Sequence, residues 1–540
     1  MFKKLMQIAI IGAAVIGLAG AASAATDYEI NLYGASAQYF YWNDAADNFV
    51  SSIPGCTATQ AQDTGKKNGI TYGTCTNGDT YTIRYSSKAS YDGINAIKGD
   101  DSMAGSTEKC AAGDTVCLPT GGVVPAGQTG YYRKMASAVG TPNAYCCAKV
   151  TLGASDVAGE AFVQSSEGKL KGYLGGAWTT RNFAGIDTTG LEYANPLIVP
   201  FGFFANSCIT KTRCTTPEPA GSYPFMLIPT WYNQCYDYYD GYNCVGGVCD
   251  SGPNAGNACT DIRDCGVLDG KSTDCIGYFA CDSSTKKCVG GIRNGLTCAK
   301  ADGWTETAKD CPNVALADTS CERFPIDNIS RIMAVVIFSD QVLSWKDFGD
   351  WYEVLNTTEC NAINNFGAGD PTITKCLRHA GSGTHATIDL AVMNSAWGGA
   401  LSSLEYTGGN VWFNDGSGDM INCIKGRAGA IGYADCDQLV GSSGNNMIHE
   451  VKYQGVECRR TKIRNCEYDF WSIQWIYWEE DNLTPEQIQL IADLMAFASD
   501  PNNLPSGKAN YWAALGEMKC MKYGDYMYPG FVGASDPRLP

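Results

Sequence analysis

Arg378-His379-Ala380-Gly381-Ser382-Gly383-Thr384 is the stretch whose reading decides the fold. It predicts a loop that carries an arginine and then opens a helix. Pro371 and the run Thr372 to Leu377 before it predict a strand, and His385 to Met393 after it predict a helix. Gly381 and Gly383 allow a tight bend and a close approach of backbone to a ligand. Ser382 and Thr384 can cap the helix or turn their hydroxyls outward. A helix start presents unpaired N–H groups and a partial positive charge, which suits an anion. Arg378 adds a permanent charge on a planar donor fork. Strand, arginine, glycine-rich turn and helix start together point to an oxyanion clamp, although a capped helix beside a surface arginine fits the same residues.

Related units recur along the chain. Glu29 to Tyr33 predicts a strand that runs through Gly34-Ala35-Ser36-Ala37-Gln38-Tyr39 into a helix reaching Phe49. Thr80 to Tyr85 predicts a strand, and Ser90-Tyr91-Asp92-Gly93-Ile94 opens a helix. Val150 to Asp156 ends a strand in a small-residue turn with one carboxylate. Strands alternating with helices predict an α/β fold with parallel sheets, in which ligands sit beyond the carboxyl ends of strands. Pro196 to Ala205 is apolar throughout and predicts a fully buried strand that crosses between parts of the fold. Asn328 to Phe338 and Gly429 to Tyr433 continue the α/β pattern, and Asp469 to Trp478 predicts one aromatic-rich strand. Thr484-Pro485-Glu486-Gln487 is a capping box with proline at the first helical position, opening a helix to Ser499.

Two stretches break the pattern. Residues 100–148 hold Cys110, Cys117, Cys146 and Cys147 among glycines and polar residues, and predict a stapled insertion. Residues 206–322 are rich in cysteine and glycine. Cys244, Cys249, Cys259, Cys265 and Cys275 form one pattern, and Cys281, Cys288, Cys298, Cys311 and Cys321 form a related one. This predicts a tandem disulfide repeat too poor in apolar residues to fold unstapled.

Met1 to Ala24 has the charged start, short apolar run and small-residue cleavage site of a secretory leader, with no cysteine for lipid attachment. The chain's 26 cysteines then predict disulfides and a periplasmic or extracellular location. Zinc and haem need C-x-x-C, H-x-x-x-H or C-x-x-C-H spacing, none of which occurs, so neither metal nor cofactor is expected. The net charge is -17, and loss of Lys3 and Lys4 with the leader makes it -19. A chain this acidic is a poor nucleic-acid or anionic-membrane binder, so an anion would be held by local donors. Ser382 and His385 do not predict a hydrolase, because they fall on adjacent helix turns without a G-x-S-x-G elbow.

The order of these motifs resembles the phosphate-binding subunit of ABC uptake systems, a PstS-like type II periplasmic binding protein. The matching pieces are Gly34 to Tyr39, Ser90 to Ile94, Gly153 to Asp156, Ile337 to Trp345, Arg378 with Gly381 to Thr384, and Gly429 to Tyr433. The resemblance implies two α/β lobes with a ligand cleft between them. Lobe I would span 25–205, interrupted by 100–148, and lobe II would span 323–445. Residues 446–540 would return to lobe I with C-terminal helices, leaving 206–322 as an insertion. It further implies an inorganic oxyanion, phosphate foremost, held by Gln38, Tyr39, Ser90, Asp156, Arg378, Ser382, Gly383 and Thr384, with an ABC transporter membrane complex as partner and no enzymatic activity. Gln38 and Tyr39 stand where the family usually has threonine and phenylalanine, and Ala380 stands where it commonly has an aspartate. A different class also fits: an extracellular structural or adhesive protein that uses a binding-protein scaffold to present the cysteine repeats.

Overall fold

The computed structural model describes residues 25–63, 67–105, 107–141, 143–164, 167–170, 179–182, 185–214, 321–349, 351–379, 381–393, 410–438, 447–522 and 530–531, with strand fragments at 244–245, 248–249, 280–282 and 287–289. The predicted leader, Ala380 and nearly all of the predicted cysteine repeat lie outside the described residues. In the fragments, Cys244 faces Cys249 and Cys281 faces Cys288 across two short antiparallel ladders. The first two cysteines of each predicted repeat are therefore brought opposite one another.

Two mixed sheets form the body. The first has the strand order Glu192–Ala194, Trp475–Trp478, Leu152–Ser155, Asp27–Ala35, Thr80–Lys88, Asn68–Cys75 and Cys56–Gln62. Only Asp27–Ala35 and its two neighbours run parallel. The second has the order Asn328–Ile329, Ile448–Tyr453, Leu197–Asn206, Ala430–Asp435, Thr374–Arg378 and Val411–Asn414. Here Thr374–Arg378 is parallel to both neighbours. Parallel pairing thus holds around Asp27–Ala35 and Thr374–Arg378 and between Asn328–Ile329 and Ile448–Tyr453, while the remaining ladders of both sheets are antiparallel. A parallel pair needs a long crossover, whereas a short turn such as the one joining Cys56–Gln62 to Asn68–Cys75 reverses the chain.

Leu197–Asn206 lies at the centre of the second sheet. All ten residues are buried, as a continuous apolar strand requires. Its first residues pair with Trp471–Ile473 and Ala513–Ala514, and its last with Ala430–Asp435 and Ile448–Tyr453. The aromatic run predicted as one strand is two, interrupted at Gln474. Trp471–Ile473 pairs with Leu197–Asn206, while Trp475–Trp478 pairs with strands of the first sheet. One strand cannot satisfy ladders in both places, so the chain breaks where it changes sheets. Gln474 N–H donates to Leu197 O at 3.0 Å, and Asn195 Nδ2 donates to Gln474 O at 2.6 Å, tying the two crossing points together.

Glycines set how the helix Ser90–Ile97 meets the first sheet. A Cβ on Gly93 would stand 2.7 Å from both Ala154 O and Tyr33 O, and one on Gly153 would stand 2.5 Å from Gly93 O. Helix and strands approach to backbone distance because no side chain intervenes. The glycines of these motifs therefore serve packing.

Seven disulfides join described cysteines, and none of those cysteines is free. They place the chain in an oxidising compartment. Cys110–Cys147 and Cys117–Cys146 staple residues 100–148 as expected. Cys110 and Cys147 lie beside Asp114, but their mutual bond removes them as thiolate metal ligands. Cys376–Cys423 ties the strand Thr374–Arg378 to the helix Ser417–Lys425. Among the described residues no helix is long and apolar enough to cross a membrane.

The glycine contact makes a direct prediction. Gly93→Ala should destabilise the protein by about 1–3 kcal/mol through overpacking against backbone. Gly507→Ala, where an added Cβ meets nothing within 4 Å, should stay within about 0.5 kcal/mol of wild type. Denaturant midpoints measure both, and equal effects would remove the packing role of Gly93.

Candidate functional site

The strand Thr374–Arg378 ends at a guanidinium that is 1% exposed. Arg378 Nε donates to Asn414 O at 3.3 Å, and Nη2 donates to Asp415 O at 2.8 Å. Nη1 donates to Ser36 Oγ at 3.0 Å and to Ser417 Oγ at 3.3 Å. Ser36 follows the strand Asp27–Ala35 of the first sheet, and Ser417 opens a helix of the second half. One side chain thus draws strand ends of both sheets together. Burial pulls the guanidinium below its ordinary value, against the charges of Asp415, Tyr433 and Asp156, but an arginine remains a cation.

Beside it stands a buried carboxyl. Asp156, directly after the strand Leu152–Ser155, accepts from Gln38 Nε2 at 2.9 Å, Ser90 Oγ at 3.3 Å and Thr384 Oγ1 at 3.5 Å. Ser90 Oγ in turn accepts the N–H groups of Asp156 and Gly383, each at 3.2 Å. A Cβ on Gly383 would lie 2.3 Å from Ser90 Oγ and 2.7 Å from Asp156 Cβ, so only glycine fits there. Burial pushes Asp156 up to about 6, although Gln38, Arg378, Ser90 and Thr384 all pull the other way. The amide of Gln38 is itself held, its Oε1 accepting from Trp42 Nε1 at 3.2 Å and Gln474 Nε2 at 2.8 Å.

Ser382 caps the short helix Gly383–Thr387 by accepting the His385 N–H at 3.4 Å. The Tyr433 hydroxyl accepts the Arg378 N–H at 3.2 Å and contacts His385 Nδ1 at 2.9 Å. Burial and the Arg378 charge hold His385 neutral, down to about 3. His385 is thus paired with Tyr433, and Ser382 is spent on the cap.

The structure gathers Gln38, Ser90, Asp156, Gly383 and Thr384 in one cluster and places Arg378 next to it, with Ser382 shaping the turn. Tyr39 stands apart. Its N–H returns to Ser36 O, its hydroxyl donates to Asn68 O at 3.3 Å, and its ring packs on Phe40 and Tyr85. Gln38 contributes through its side chain. Ala380 lies outside the described residues. Sequence reasoning missed Ser36, Ser417, Tyr433 and Gln474 as members. Ser36 and Tyr433 sit inside motifs already singled out, Ser417 lies in the turn-rich run Asp415 to Asp419, and Gln474 is the lone amide in an aromatic strand pattern.

No family model matches the sequence, and no curated protein matches it. About a third of the chain is similar in structure to phosphate-binding proteins of known structure. One is assigned as a phosphate ABC transporter substrate-binding protein with bound phosphate, from Clostridium perfringens (22% identity, 32% of this chain and 57% of that chain, TM-score 0.24). Others are PstS from Borrelia burgdorferi (15%, 34% and 62%, TM-score 0.25) and an ABC-type phosphate transport receptor from Vibrio cholerae (16%, 32% and 58%, TM-score 0.21). The chain spans about six-tenths of the length of the structures it matches. These are binding proteins, and a likeness this partial leaves the site to be read from its own residues.

The Asp156 environment predicts a pH signature. The unfolded carboxyl ionises near its ordinary value of about 4, while the folded one keeps its proton to about 6. Between those values the folded state binds more protons, so this group lowers stability as pH rises through the window. Asp156→Asn lacks that dependence. Wild type should therefore lose about 3 kcal/mol relative to the variant between about pH 4 and pH 7. Urea midpoints across that range check it, and a constant difference would mean that Asp156 does not titrate there.

Proposed function

We propose that this protein binds a partly protonated inorganic oxyanion, most specifically phosphate, between the strand ends that carry Arg378 and Asp156. One observation carries the reading: a permanent cation and a buried carboxyl, with its ordinary acidity reduced, share one cluster with hydroxyl and amide donors. Arg378, Ser36 and Ser417 supply affinity to any oxyanion. Asp156 supplies choice, because it can accept the proton that phosphate carries near neutral pH and meets only lone pairs on sulfate. The leader-like start and the disulfides support delivery to an ABC-type uptake complex outside the cytoplasm.

The donors are engaged with one another in this structure. Gly383 N–H bonds Ser90 Oγ at 3.2 Å, Tyr91 N–H bonds Gly381 O at 3.1 Å, and Arg378 bonds Ser36 and Ser417. An entering anion would exchange these bonds. The same observation favours a second reading, in which the cluster clamps the two halves of an extracellular structural or adhesive protein and holds no ligand.

Titration calorimetry of the mature protein with phosphate, arsenate and sulfate separates the two. A buried charged group left unpaired costs about 1–3 kcal/mol or more, so phosphate should be preferred over sulfate by roughly tenfold to hundredfold. Arg378→Ala should weaken both anions strongly, and Asp156→Asn should narrow the gap between them. Absence of heat with phosphate and arsenate alike would leave the structural reading standing.

A further inference from the structure

Two residues beyond Ser90, the helix Ser90–Ile97 carries a carboxylate in its first turn. Asp92 is 2% exposed. Its Oδ2 accepts from the Tyr33 hydroxyl at 2.6 Å, and its Oδ1 accepts from Arg133 Nη2 at 3.1 Å. Arg133 belongs to the stapled segment 100–148 and is itself fully buried. Its remaining bonds go to carbonyls of the same neighbourhood: Nη1 to Gly130 O at 2.8 Å and Tyr132 O at 3.0 Å, Nη2 to Asp100 O at 2.8 Å. The guanidinium also lies 5.2 Å from the centre of the Tyr33 ring. A buried charge is stable only when paired and hydrogen-bonded, and this one is held through Nη1 and Nη2, with Nε making no hydrogen bond.

A carboxylate in a first turn suits the helix dipole. Left uncompensated, it would work against any anion gripped at Ser90 on the same helix, since like charges repel more strongly where water is excluded. The pairing with Arg133 cancels that charge and pins the helix to the sheet at the same time. We propose that Arg133 is a positioning residue for the oxyanion site: through Asp92 it neutralises and fixes the helix start that presents Ser90, which makes the disulfide-stapled segment 100–148 a determinant of anion affinity. This rests on the oxyanion-binding reading above. The same segment reaches the site's rim a second time, where Glu108 shares Lys88 with Asp415 at 3.3 Å and 2.9 Å.

The test uses the mature full chain, with inorganic phosphate as probe. Arg133→Met should weaken phosphate at least about tenfold, as expected for an uncompensated charge beside the anion. Asp92→Asn/Arg133→Met, which removes both charges, should recover affinity to within about threefold of wild type. Arg84→Met is the control: Arg84 anchors the same segment by donating to Ala136 O and Leu118 O, but it pairs with Glu29 and does not touch the Ser90 helix. It should keep affinity within about threefold. Unchanged affinity in Arg133→Met, equal losses in Arg133→Met and Arg84→Met, or no recovery in the double variant overturns the proposal. Should Arg133→Met not fold, Tyr33→Phe, which removes one bond to Asp92, is expected to give a smaller loss, and no loss overturns the proposal. Hydrogen exchange of residues 90–97 without ligand separates this from the oxyanion reading. If wild type binds no phosphate, faster exchange in Arg133→Met than in Arg84→Met still supports the positioning role, and equal exchange overturns it.

Discussion

A guanidinium cannot shed its proton to escape burial, so the enclosure of Arg378 constrains everything around it. Its donors must be met in place, because an unpaired buried charge costs several kcal/mol. Two carbonyls after the strand Val411–Asn414 and two serines from different halves of the chain meet them. Ser36 and Ser417 meet at Arg378 and also each other, hydroxyl to hydroxyl at 3.3 Å, and the Cys376–Cys423 bond holds the strand and helix that bring Arg378 and Ser417 to that point.

Asp156 answers burial in the opposite way. A carboxyl can take up a proton, so the same dry surroundings raise it to about 6 instead of forcing a full countercharge onto it. It bonds to amide and hydroxyl donors, and Arg378 acts on it only through the field. Cation and carboxyl thus remain separate groups near one another.

The segment 100–148 has no apolar core of the size that would hold it alone, and its two disulfides supply part of the constraint. Its attachment to the body combines apolar packing of Cys117, Met135 and Ala148 against Tyr33, Ala96 and Ile97 with buried polar bonds. Arg84 bonds Glu29 and Asn31 while reaching carbonyls of the segment, and Arg133 reaches out from the segment to Asp92. Such bonds are directional, so they define the place of the insertion more sharply than apolar contact would.

The sequence alone determined what local chemistry dictates. The strand before Arg378, the serine cap at Ser382, the buried run Pro196 to Ala205 and the capping box at Thr484 are set by side-chain periodicity and hydrogen bonding within a few residues. The even count of cysteines likewise pointed to disulfides, and seven join described cysteines. Six of the eight residues that the family resemblance implied lie in or against one cluster, because the turns that follow their strands are local features. The tertiary structure decided what distance in sequence conceals. It turned Tyr39 into the core, used the side chain of Gln38, and recruited Ser36 and Ser417 to one guanidinium. It broke the aromatic run at Gln474, since a strand shared between two sheets must change ladders, and no pattern within the run encodes which ladders those are. It also set the acidity of Asp156 and the pairing of Asp92 with Arg133, because burial and charge pairing are properties of the space around a group, and residues far away in the chain create that space.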